Sequence, residues 1–154
     1  MAGYHFTGTK YNSQMSTKEI AKAVRDEVKA ALKSGALPAG AKISVRLDQG
    51  STSSSIYVTL KELPEGVCCP YSEEYLAYYK EAKPRGFVDP FRGESRYIPL
   101  VADMLKKLGE MLNAYNRDRS DTQSDYFNRR FWDHVEVAYE LGKEERYTHL
   151  MGGV

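Results

Sequence analysis

The chain has 154 residues, a net charge of +1, 42% apolar and 28% charged residues, the balance of one globular domain with a sizeable core. No apolar run approaches the ~20 residues that span a bilayer, and the N-terminus "MAGYHFTGTKYN" lacks the apolar centre of a secretory leader, so a cytoplasmic location is expected. The first 70 residues carry three excess positive charges and the remainder two excess negative ones, too mild an asymmetry for a dedicated duplex binder. Direct nucleic-acid binding is therefore expected to be weak or absent.

The first element is a helix. In "STKE" Ser16 caps it and Glu19 completes a capping box, while Met15 and Ile20 form a hydrophobic staple. Ile20, Val24, Val28, Ala31 and Leu32 give a buried stripe, and the helix ends near Ser34 and Gly35. Two alternating segments follow, "KISVRLD" and "SIYVTLK", each a strand with one covered face. The linker "QGSTSS" suits a hairpin loop. Pro64, Gly66 and Pro70 then interrupt the chain. Cys68 and Cys69 are adjacent, which rarely permits a bridge, and His5, His134 and His149 are scattered. Without ligand spacing, neither a metal nor a cofactor is expected.

A short helix is expected from about Ser72 to Lys83, then an irregular loop through "PRGFVDPFRGESR". The longest apolar period follows. Val101, Met104, Leu105, Leu108, Met111, Leu112 and Tyr115 mark a helix with Pro99 in its first turn, widened by Leu100. Gly109 within it points to close packing. In "YFNRRFWDHVEVAYE", Phe127, Phe131, Val135, Val137 and Tyr139 share a parity facing the core. Arg129 and Asp133 share it too, which predicts a bulge or turn near "WDH". The tail "LGKEERYTHLMGGV" carries no pattern that assigns an element. The order implies one α+β domain, 1–154, with a small antiparallel sheet of three or four strands packed against about three helices.

Two groups of residues are candidates for binding. Lys18, Lys22, Arg25, Lys29 and Lys33 recur at helical steps and line one face, either as a solvated surface or as an anchor for acidic protein or phosphates. The segment between the last helix and strand holds Asn116, Asp118, Ser120, Asp121 and Asp125, types that build side-chain-to-backbone turns, together with Arg117, Arg119 and Tyr126. It reads as a structural turn, with a binding loop as the alternative. No glycine-framed serine or phosphate-cradling loop is present, so no catalytic residue is assigned and an enzyme is not expected.

Three blocks carry a resemblance: "MSTKEIAKAVRDEVKAAL", "AKISVRLDQGSTSSSIYVTL" and "AYNRDRSDTQSDYFNRRFWDHVEV". They resemble the twenty-ninth of the large polyvalent-protein-associated domains, modules of phages and conjugative elements. The match covers about 15–139. Its most specific part is a "YNxDxSDxxxDYFxxxFxxxV" signature, met here by Tyr115, Asn116, Asp118, Ser120, Asp121, Asp125, Tyr126, Phe127, Phe131 and Val135. The chain departs from that family after its second strand, where "LKELPEG" and a tyrosine-rich helix replace a tryptophan and a Gly-Pro turn. The resemblance implies a counter-defence protein of a mobile element, acting in the host bacterial cytoplasm. A free-standing copy of this size fits an anti-CRISPR inhibitor that occludes an effector complex without catalysis. The alternative is a nucleic-acid-associated accessory domain with its basic helix face on phosphates. The wide apolar stripe over residues 100–115 and the twelve tyrosines also argue for a homodimer.

Overall fold

The computed structural model describes residues 5–86, 88–120 and 129–151, with 149–151 as backbone alone. Among the described residues five strands and four α-helices follow in the order β1 (Phe6–Thr7), α1 (Thr17–Ser34), β2 (Lys42–Gln49), β3 (Ser54–Glu62), α2 (Glu73–Glu81), α3 (Pro99–Asn113), β4 (Arg117–Asp118), β5 (Trp132–Val137) and α4 (Glu145–Met151). The expected α+β architecture of a small sheet packed against helices is present.

Helix α1 begins and ends as its sequence dictates. Both halves of the capping box between Ser16 and Glu19 are made, and Gly35 closes the helix at φ 86°. Ile20, Val24 and Val28 are buried against the sheet and α3. Strands β2 and β3 pair antiparallel, with Val45 opposite Val58 and Leu47 opposite Ile56. The inward side chains Val45, Ile56 and Val58 join Leu108, Leu112 and Phe131 in the main core.

The third strand differs from expectation. The β2-β3-β5 sheet is mixed, because β5 lies parallel to β3. A parallel neighbour requires a crossover, supplied here by the whole segment that contains α2 and α3. The β3–β5 register from Ser55 opposite Trp132 to Leu60 opposite Val137 is unbroken, so the bulge predicted near "WDH" is absent. Asp133 keeps its inward parity because Asn113 and Arg129 hydrogen-bond its carboxylate. The register shift falls instead between Lys42 and Ile43. Tyr139, expected in the core, is 78% exposed: the strand stops at Val137, and a turn closed by Gly142 N–H on the Ala138 carbonyl turns the chain outward.

The α3 stripe is covered within a single chain. Val101, Met104, Leu105, Leu108 and Leu112 are all buried, and only Leu100 points away, at 40% exposure. Five of the twelve tyrosines, Tyr71, Tyr75, Tyr78, Tyr97 and Tyr147, gather in a separate cluster. Tyr71, Tyr75, Leu76 and Tyr147 pack α4 onto α2, with the Tyr75 hydroxyl donating to Glu144 and the Tyr71 hydroxyl to the Gly142 carbonyl. The α3 stripe, one of the two features behind the expected homodimer, is therefore covered within one chain.

Gly109 is not held by crowding. A methyl group there meets only Val135 Cγ2, at 4.0 Å. Gly109→Ala is expected to stabilise the fold by up to about 1 kcal/mol, raising Tm by roughly 2–4 °C. A thermal melt showing a lower Tm would instead reveal a tight contact at α3.

Candidate functional site

The segment after α3 is built around Asn116, which is fully buried. Its amide oxygen accepts from the backbone N–H groups of Arg117 (2.9 Å) and Phe131 (3.3 Å). Its Nδ2 donates to the Phe131 carbonyl and to Asn113 Oδ1, both at 3.1 Å. The side chain thus serves Phe131 as a neighbouring strand serves its partner, satisfying both backbone groups just before β5 begins. Asn113 in turn donates to the Gly109 carbonyl (3.1 Å) and to Asp133 (3.0 Å).

Asp118 ties the other end. One carboxylate oxygen accepts from Ser120 N–H at 2.8 Å, and the other meets Arg129 Nη1 at 2.9 Å. Arg129 Nη2 donates to Asp133 at 2.8 Å, so one guanidinium joins the outgoing and returning chain. Strand β1 pairs with β4, placing Phe6 opposite Asp118. Gly8 permits that approach, since a methyl group there would stand 2.2 Å from the Ala114 carbonyl oxygen.

The electrostatics favour a fixed turn. Burial raises the Asp118 carboxyl, but the backbone and hydroxyl bonds from Ser120, then the charges of Arg129 and His5, outweigh it and hold it below the ordinary value of 3.8. A folded-state pKa below the unfolded one stabilises the fold above the carboxylate range, and that contribution is lost as pH falls through the lowered value. Asp118→Asn is expected to flatten the acid limb of the stability curve, most visibly below about pH 5. Parallel denaturation series across this range check it; an unchanged acid limb would remove Asp118 from the network's energetics.

His5 approaches the same site, with its Nε2 3.0 Å from the Ser120 carbonyl oxygen. Among the described residues, no three His, Cys, Asp or Glu side chains converge as metal ligands.

The residues expected in the turn thus divide. Asn116, Asp118 and Ser120 are buried structural members. Arg117 lies half-buried with its guanidinium over Tyr11, 5.5 Å from the ring centre, and Arg119 is exposed. Asp121, Asp125 and Tyr126 lie outside the described residues. Arg129, Asp133 and Asn113 complete the network without having been singled out. Their signal was the polar pair at an inward parity, with Arg129 and Asp133 four residues apart.

The basic face of α1 is present and outward. Lys18, Lys22, Arg25, Lys29 and Lys33 are all exposed. Two of them have local roles: Lys22 pairs with Asp26 at 3.0 Å and lowers its pKa, and Arg25 Nη2 donates to the Val45 carbonyl on edge strand β2 at 2.8 Å. Lys18, Lys29 and Lys33 form no ion pair among the described residues.

Comparisons with protein families, with characterised proteins and with solved structures return no match to this chain. Among the described residues, no helix is long and apolar enough to cross a membrane.

Proposed function

We propose that this chain is a counter-defence protein of a mobile element, a non-enzymatic inhibitor that binds and occludes a bacterial CRISPR effector complex in the host cytoplasm. The setting rests on the three sequence blocks that resemble polyvalent-protein-associated domains. The observation that supports a binding role is the outward row of Lys18, Lys29 and Lys33 on a helix whose opposite side is buried. From Lys18 to Lys33 the row spans roughly 22 Å at 1.5 Å per residue. Such a rigid array steers an acidic protein surface and fixes its register.

The same row favours a second reading, a nucleic-acid accessory domain with these lysines on duplex phosphates. Two measurements separate them. Tagged protein should co-purify stoichiometrically with a CRISPR effector expressed in the same cells, and duplex DNA should bind weakly even at low salt. Tight duplex binding with a steep salt dependence, without effector capture, favours the accessory domain.

A further inference from the structure

We infer that the face of the β2-β3-β5 sheet turned away from α1 and α3 is a binding platform for single-stranded nucleic acid. This inference stands apart from the counter-defence reading and involves the side of the sheet opposite to α1 and α3.

Strand alternation sends Val45, Ile56 and Val58 inward, so Arg46, Tyr57 and His134 point to the other face. The register sets them in one row, Arg46 opposite Tyr57 and Tyr57 opposite His134. They are already stacked. The Arg46 guanidinium lies 4.4 Å from the centre of the Tyr57 ring, and the Tyr57 and His134 rings lie 4.3 Å apart at 8°. The row ends on the edge strand at His134, where the next member of the stack is a nucleobase. Bases stack on aromatic and guanidinium planes irrespective of sequence, and rings held in place lose little freedom on binding.

Phosphate chemistry lies beside it. A cleft of about 550 Å³ is lined by Thr52, Ser53, Ser54, Arg129, Arg130 and Trp132; its hydroxyls and the Arg130 guanidinium are donors of the kind that hold backbone phosphates, while Arg129 is held by Asp118 and Asp133. Arg130 donates to the Met15 carbonyl at 2.8 Å and makes no ion pair among the described residues. Arg46 and Lys61 likewise make none, against the acids Asp48 and Glu136 on this face. Arg46 and Lys61 balance Asp48 and Glu136, so stacking and not net charge carries this binding, against the weak or absent nucleic-acid binding expected from composition. A duplex, with its bases already stacked, cannot use the row.

Fluorescence anisotropy with labelled RNA and DNA strands of about 12 nucleotides, and with a duplex of the same sequence, tests this. Single strands are expected to bind at least about tenfold tighter than the duplex. His134→Ala and Arg46→Ala should each weaken binding about tenfold, and His134→Phe should retain it. Lys18, Lys29 and Lys33 changed together to Glu should leave it within about twofold, because they lie across the fold. Melting curves confirm that each variant folds, and Arg46, an exposed position, remains a usable probe should His134→Ala not fold. No single-strand binding up to about 100 µM overturns the inference. So does equal affinity for the duplex, equal competition by polyphosphate, or indifference to both substitutions.

Discussion

Asn116→Ala is expected to destabilise the protein by about 3 kcal/mol and lower Tm by roughly 10 °C. The side chain is fully buried and satisfies four polar groups, two of them the N–H and carbonyl of Phe131. Truncation strands those groups where no strand partner exists, and each buried unsatisfied group costs ~1–3 kcal/mol. Asn116→Asp should do no better. It keeps the acceptor, loses the donor and places a charge at a site without exposure. A Tm drop below about 2 °C for the alanine variant would mean that water replaces the amide and that the turn is not organised by it.

Arg129→Ala should rank close behind. Its guanidinium links Asp118 at 2.9 Å and Asp133 at 2.8 Å, and its loss leaves two carboxylates without a cation. Breaking a fully buried pair costs ~3–5 kcal/mol. Here Arg129 keeps 19% and Asp133 31% side-chain exposure, so solvent screening reduces the expectation to about 2 kcal/mol. Asp118→Asn in the Arg129→Ala background should recover part of the loss, since the stranded charge is removed. Arg119→Ala, on the exposed rim, should stay within about 0.5 kcal/mol. Equal effects at positions 119 and 129 would show that the network adds nothing beyond surface electrostatics.

These contrasts follow from which interactions are local in sequence. The capping box, the α1 stripe, the β2–β3 alternation and the α3 period were legible because each is written within one turn or one strand. The direction of β5 was not, since a parallel partner is chosen by a crossover longer than any local pattern. Arg129 and Asp133 were visible as an inward polar pair, yet spacing alone did not separate a bulge from a satisfied ion pair. Only Asn113, on a different element, decides it. Tyr139 was misplaced because strand parity carries no signal of where the ladder stops. The row of Arg46, Tyr57 and His134 brings together residues nearly 90 positions apart, and alternation reports only that one face is covered, leaving the other unspecified. The same limit applies to the basic face: its spacing was legible, but the roles of Arg25 on Val45 and Lys22 on Asp26 were not.

That distinction fixes the set of substitutions for the functional test. Among the described residues, Lys18, Lys29 and Lys33 are the α1 cations without an ion pair or backbone tie, so changing all three to Glu should leave Tm within a few degrees. The most direct measurement titrates the protein, and this triple variant, against purified CRISPR effector complexes while following target cleavage. Inhibition is expected to saturate near one equivalent per complex for the parent chain and to weaken at least about tenfold for the variant. Substoichiometric, time-dependent inactivation would identify an enzyme instead, and equal inhibition by the triple variant would show that the α1 face is not the docking surface.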